Sequence, residues 1–269
     1  MSFEACAAIV ERADPDRFLA TMAAPVAARR VLFPLYAFNV EVSRAPWVTE
    51  EPMIAEMRLQ WWRDALEEIA TGGAVRRHEV VDALAEVLDA EAARTLDGLV
   101  AARRWDVYKD AFEDQTHFEE YINATSGDLL WTAVRLCGAG KAPDPQATWP
   151  QPLELSVKQY GFGVGVANWF RAIPELEARG RVPLVSGTVE GVRLQAQAAL
   201  RDVQTARWVL RKEGRTDAPL ADVLRVGWRT ERTLKTAAAT PMAVADGALD
   251  ESPFMRRASL LWRTWRQTF

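Results

Sequence analysis

Apolar residues recur at three- and four-residue steps along nearly the whole chain, and no segment alternates strictly between apolar and polar. That rhythm follows the turn of an α-helix, whereas a half-buried strand needs a period of two. An all-α fold is therefore expected, and a hydrophobic content of 49% over 269 residues suffices for a sizeable core. Asp14-Pro15 reads as an N-cap with proline at the first helical position, opening a short helix through Phe18 and Leu19. A longer helix is expected from about Pro25 to Arg44, kinked where Pro34 removes a backbone bond. Thr49 is the expected cap of the next, with Ile54, Met57, Trp61, Ala65 and Ile69 as its apolar stripe and Gly72-Gly73 as its stop. Further helices are expected near 77–90, 91–112, 115–137, 153–178, 188–213, 218–237 and 252–267, with an alanine-rich, partly looped stretch over 236–253. The proline-rich KAPDPQATWPQP, 141–152, is the best internal break. It is short, so one domain over 1–269 is expected rather than two.

Several function classes are disfavoured. The formal charge is −4, so no basic field points to nucleic acid. Two cysteines, Cys6 and Cys137, fit a reducing compartment better than a disulfide framework. His78 and His117 lie far apart in polar stretches that read as helix surface, which leaves no usual zinc set. No G-x-S-x-G turn supports a Ser-His-Asp site. The N-terminus lacks an apolar signal core, and no apolar run is long enough to span a bilayer. The expectation is a cytoplasmic chain, or one peripheral on the inner face of the cytoplasmic membrane. Eleven tryptophans against four tyrosines is unusual, and core packing is the simplest account of most of them.

Three i,i+4 acid pairs share helix faces: Asp64/Glu68, Asp82/Glu86 and Asp110/Asp114. With 37 acids in the chain, chance alone gives about five such pairs, so solvated faces explain them. Asp110 to Asp114 has the tempting spacing D-x-x-E-D, but it follows Arg103-Arg104 and nothing apolar is expected around it. Gly161-Phe162-Gly163-Val164-Gly165 has neither the spacing nor the preceding strand of a phosphate-binding loop. Close approach of neighbouring backbones is the simpler reason for its glycines.

The C-terminal stretch carries more information. Phe254, Ala258, Leu261, Trp262, Trp265 and Phe269 form one helical stripe, and Arg256, Arg257, Arg263 and Arg266 take the other faces, with no acid after Glu251. A basic amphipathic helix with boundary tryptophans is the pattern of an interfacial membrane helix. Two readings stand, and they are compatible: membrane contact by 252–269 through Arg256, Arg257, Trp262, Arg263, Trp265 and Arg266, or docking of the stripe on the domain.

An ordered set of motifs then resembles the squalene/phytoene synthase family. It comprises Phe18-Leu19-Ala20, Arg29-Arg30 leading into Leu35-Tyr36-Ala37-Phe38, Arg58 to Leu66 (RLQWWRDAL), Tyr121 to Gly127 (YINATSG) and Gly165 to Arg171 (GVANWFR). Arg179-Gly180-Arg181-Val182-Pro183-Leu184 resembles the family's R-G-R-x-Y-L-P loop. The resemblance spans about residues 14–184. It implies the isoprenoid-synthase fold, a single helical domain around a central apolar cleft lined by Tyr36, Phe38, Glu41, Ser43, Trp47, Asn168, Arg171, Ala172, Glu175 and Leu176.

Active members hold Mg²⁺ with two aspartate-rich motifs, because a departing diphosphate needs its charge neutralised by ions in octahedral oxygen cages. In register with Tyr36-Ala37-Phe38, the first pair of aspartates falls at Ser43 and Trp47. In register with Asn168 and Arg171, the second motif falls at Ala172 to Leu176, where only Glu175 is acidic. A slip of four residues restores nothing, since 37–50 contains only Glu41 and Glu50 as acids.

The sequence looks most like the catalytically degenerate branch that includes the mitochondrial complex I assembly factor. That resemblance implies a non-catalytic assembly or interaction factor for the membrane NADH:quinone oxidoreductase, without a cofactor. Its implied partners are complex I subunits or assembly intermediates, the membrane surface, and a prenyl or lipid ligand. The alternative is an active prenyltransferase that condenses farnesyl or geranylgeranyl diphosphate with Mg²⁺.

Overall fold

The computed structural model describes residues 2–138, 151–212 and 218–269. Most of the proline-rich break lies outside the described residues. Helices α1 (Ser2–Ala13), α2 (Pro15–Met22), α3 (Val26–Arg44), α4 (Pro52–Thr71), α5 (Glu79–Ala85), α6 (Ala90–Ala102), α7 (Gln115–Ile122) and α8 (Asp128–Leu136) form the first half. Helices α9 (Gln151–Ala178), α10 (Val189–Lys212), α11 (Ala218–Leu224), α12 (Thr230–Ala239), α13 (Met242–Ala245) and α14 (Pro253–Trp265) form the second. Among the described residues there is no strand. The helices pack as two compact units, each assembled from separate stretches of chain: 2–108, 132–138 and 218–226 in the first, 109–131, 151–212 and 227–269 in the second.

In the first unit, α1, α2 and α5 pack on α3, and α4 packs on α6. The Asp14 carboxylate accepts the Arg17 N–H at 2.9 Å and Pro15 opens α2, as expected. Helix α3 continues through Pro34. The start of α4 differs: Thr49 Oγ1 accepts the N–H of Glu51 at 3.1 Å, two residues ahead of the cap position that Glu51 holds, and Pro52 begins the helix. Gly72 ends α4 in the left-handed conformation, φ 69°.

The buried stripe of α4 also differs from expectation. Ala55, Leu59, Trp62, Ala65 and Leu66 are buried, whereas Ile54, Met57 and the neighbouring Met53 are exposed. The helix carries two apolar stripes, and the partner decides which is covered. Arg63 donates to Asp97 at 2.6 and 2.9 Å, a two-pronged tie that fixes the rotation of α4 against α6. His78 is not simply surface: its Nδ1 accepts the Val80 N–H at the start of α5, and its ring stands 5.2 and 5.3 Å from those of Trp61 and Trp62.

The second unit centres on α9, which packs with α7, α10, α12 and α13. The expected close approach at the glycines is real. A Cβ on Gly161 would stand 2.9 Å from Gly127 Cα, one on Gly163 2.2 Å from Val203 Cγ2, and one on Gly165 2.6 Å from Ile122 Cγ2. The expected helix over 115–137 is wound wider at Asn123–Gly127, a single π turn, where Ser126 Oγ donates to Gly161 O at 2.8 Å. The expected helix over 218–237 is broken, and a Cβ on Gly227 would meet Tyr160 Oη at 2.5 Å. The 91–112 segment leaves the α-helix at Ala102 and tightens into a turn over Arg103–Asp106. Phe112 lies in an aromatic cluster with Phe118, Tyr121 and Trp169 at centroid distances of 5.1, 5.6 and 5.9 Å. The expectation that nothing apolar surrounds 110–114 is thereby corrected. Trp62, Trp131, Trp169 and Trp228 are core, as expected, but Trp208, Trp262 and Trp265 are exposed.

Helix α14 docks by an unexpected face. Leu260 is buried and Arg256, Ser259, Arg263 and Thr264 are half-buried, so the polar side turns inward. Phe254, Leu261, Trp262 and Trp265 are 77%, 69%, 56% and 75% exposed. The stripe therefore does not dock on the domain. Phe269 does not extend it either. Gln267 takes φ 50°, Thr268 N–H donates to Arg263 O, and the Phe269 ring folds back to 5.6 Å from Tyr160. Arg207 and Arg263 both donate to the Phe269 carbonyl. That ties the inward-facing arginine to the chain end and leaves Arg257 and Arg266 on the exposed side.

Gly161→Ala is expected to cost about 1–3 kcal/mol, since the three nearest opposing atoms, Gly127 Cα, Leu130 Cβ and Ser126 O, belong to backbone or Cβ and cannot swing away. Gly98→Ala, in the exposed middle of α6 with nothing within 4 Å, is expected to stabilise by about 0.5–1 kcal/mol. Denaturant unfolding of the two variants should shift in opposite directions; a common direction contradicts this packing.

Candidate functional site

Two helices carry the positions that the sequence marks, one in each unit. On α3, Tyr36 and Phe38 are buried. The Arg17 guanidinium lies 5.2 Å from the Tyr36 ring centre, and Phe38 stands edge-on to Trp62 at 5.4 Å. Burial pushes the Tyr36 phenol far above its ordinary value, with Arg17 opposing, so it is a neutral hydroxyl. Tyr36 Oη, Asn39 Oδ1 and Thr21 Oγ1 are buried without a hydrogen-bond partner among the described residues. These are uncharged oxygens, poorly suited to anchor a divalent cation. Glu41 stands 3.8 Å from Arg44, and Ser43 Oγ donates to Val40 O at 2.9 Å, back into its own helix. Trp47 closes the tight turn Ala45–Trp47 and is half-buried.

On α9, Asn168 and Glu175 are exposed, Arg171 and Ala172 half-buried, and Leu176 buried. Asn168, Ala172 and Glu175 repeat at helical spacing and share a face. Glu175 is held by Arg179 at 2.6 Å. Arg171 Nε donates to Asp250 at 3.0 Å, and Arg229 reaches the same oxygen at 2.9 Å. Trp169 turns toward the buried side, where its Nε1 donates to Pro183 O at 2.7 Å and pins the basic loop after the helix. Gly180, φ 76°, turns the chain into that loop, and Arg181 N–H donates to Leu176 O.

A magnesium cluster does not fit this donor set. At the aligned positions each helix offers one carboxylate, and each is already beside an arginine. Mg²⁺ demands several hard oxygens in octahedral array, and ions gripping a diphosphate need more than one carboxylate each side. Among the described residues, no three of His, Cys, Asp and Glu gather as a metal site. Of the other acid pairs, Asp64 and Glu68 are engaged with Arg76 at 3.8 and 2.6 Å, Asp82 accepts the His78 N–H at 3.4 Å, and Asp114 accepts the His117 N–H as the cap of α7. Burial pushes the thiols of Cys6 and Cys137 up to about 12, so neither supplies a thiolate near neutral pH.

With this geometry in hand, comparison with known proteins is decisive for family. The family model described as squalene/phytoene synthase matches residues 10–260. The chain belongs to the squalene/phytoene synthase family. Two solved structures, a dehydrosqualene synthase in complex with ligand and the squalene synthase HpnC from Alicyclobacillus acidocaldarius, superpose with TM-scores of 0.65 and 0.57. They cover 98% and 100% of this chain and 95% of each of theirs, at 13% and 15% identity, which establishes the isoprenoid-synthase fold. Among curated relatives, a Drosophila melanogaster protein named NADH dehydrogenase (ubiquinone) complex I, assembly factor 6 homolog is 32% identical over 187 residues, 67% of this chain and 53% of that protein. The Bos taurus and Homo sapiens proteins named complex I assembly factor 6 are each 24% identical over 189 residues, 66% of this chain and 51% of theirs. The chain thus spans about half the length of the curated relatives it matches.

Asp250 was missed in the sequence. It lies 79 residues beyond Arg171 in a turn without any motif, and only the fold brings the two together. Burial works against its charge, but the Arg229 hydrogen bond and the Arg171 charge outweigh it and hold the carboxyl below its ordinary value. A lowered folded value means stabilisation that is present above about pH 4 and is lost as pH falls through that lower value. Asp250→Asn should lower Tm by on the order of 2 °C at neutral pH, with the difference from wild type closing under acid. A difference that stays constant from neutral pH down to strong acid contradicts the role of this carboxylate.

Proposed function

We propose that this chain is a non-catalytic member of the squalene/phytoene synthase family that serves the assembly of the membrane NADH:quinone oxidoreductase. The register of the family motifs carries the reading: counted from Tyr36-Ala37-Phe38 and from Asn168 and Arg171, the aspartate positions fall on Ser43, Trp47, Ala172 and Leu176. Without those acids nothing offsets the charge that builds on a departing diphosphate, and electrostatic stabilisation of that kind supplies much of such a rate enhancement. The names of the relatives support the second half, since they describe complex I assembly factors. The partners in this reading are complex I subunits or their assembly intermediates.

Deleting the gene tests the role. Membranes of the deletion strain should lose most of their NADH:quinone oxidoreductase activity, with other respiratory dehydrogenases retained. Recovery should follow expression of either the wild-type chain or a Glu41→Gln/Glu175→Gln variant, since this reading assigns those carboxylates no metal. Full activity in the deletion strain overturns the assembly role, and failure of the double variant alone restores a catalytic reading of the two carboxylates.

A further inference from the structure

The orientation of α14 is unusual for a helix that ends a folded chain. A docked amphipathic helix ordinarily buries its apolar stripe. Here Arg263 and Arg256 face inward with Leu260, while Phe254, Leu261, Trp262 and Trp265 face out. The Ser252 hydroxyl caps the helix by accepting the Met255 N–H, and the inward side is held where Arg263 and Arg207 of α10 both donate to Phe269 O, whose ring is buried against Tyr160. The apolar face is thus built into the fold.

Charge decides what could cover that face. Residues 252–269 contain four arginines and no acid, within a chain of formal charge −4. Arg257 and Arg266 lie on the exposed side with no acidic partner among the described residues, and the Arg266 guanidinium stands 5.4 Å from the Trp262 ring. Trp262 and Trp265 pack together, centroids 5.3 Å apart, so two indoles form one broad amphipathic wedge. Indoles prefer the headgroup boundary, leucine and phenylalanine the acyl region beneath it, and arginines the lipid phosphates. Among the described residues no helix is long and apolar enough to cross a membrane, so contact of this kind is from one side.

We infer that the outward face of α14 is a membrane-docking surface, seating Phe254, Leu261, Trp262 and Trp265 in the interface of an anionic bilayer with Arg257 and Arg266 on its phosphates. This contact is independent of the assembly role. Its test is flotation of the full chain with phosphatidylcholine vesicles, with and without phosphatidylglycerol. Wild type should float with the anionic vesicles and less with the neutral ones, and added salt should release part of it. Leu261→Ser/Trp262→Ser/Trp265→Ser should weaken partitioning more than tenfold, and Arg257→Gln/Arg266→Gln about tenfold on anionic vesicles only. All the altered side chains point away from the core, and an unchanged Tm verifies that the variants are folded. Wild type that does not float, as a face reserved for a protein partner would require, overturns the inference. So does a folded triple variant that floats as well as wild type.

Discussion

The second unit depends on the near-contact of two backbones. Gly161 and Gly127 approach so closely that no side chain fits between them, and Gly163 and Gly165 continue the same closeness toward α10 and the π turn. Small residues there let α9 run as a 28-residue buried axle, with Val157, Tyr160, Val164 and Phe170 turned into the core. The π turn is part of the same arrangement. By widening one turn it places the Ser126 hydroxyl on the Gly161 carbonyl. Once α9 is fixed along its length, the face bearing Asn168, Ala172 and Glu175 is fixed too.

That rigidity bears on function. The chain keeps the family's scaffold, its Tyr-Ala-Phe helix, its RLQWWRDAL helix and its pinned basic loop, and the expected register sets Ser43, Trp47, Ala172 and Leu176 at the aspartate positions. Serine at 43 turns its hydroxyl into its own helix, and the remaining glutamates form local ion pairs with arginines one turn away. Arg171, a cleft-lining candidate of the sequence, is committed to Asp250.

How much of this was legible in the sequence follows from what each signal encodes. Period marks helices well, and α2, α3, α9 and α10 start and stop close to where their caps, prolines and glycines indicate. Period does not say which of two stripes meets a partner. On α4 the covered stripe is set by the Arg63–Asp97 tie, and on α14 by the fold-back of Phe269 onto Tyr160. In both cases large apolar residues stay outside, and a sequence rule that equates the largest stripe with the core fails. The π turn and the break at Gly227 were invisible for a related reason, since each answers to a contact with a distant part of α9. The candidate site could be approached only through family register, which names Ser43, Trp47, Ala172 and Leu176 but not the arginines beside Glu41 and Glu175.

The proposal turns on the single carboxylate that α3 and α9 each offer at the aligned positions, Glu41 and Glu175. The most direct measurement is calorimetric titration of the full chain with a non-hydrolysable farnesyl diphosphate analogue, with Mg²⁺ and again with chelator. The account predicts no magnesium-dependent binding, so that any heat from the prenyl tail is the same in both. Tight binding that appears only with Mg²⁺ would contradict it.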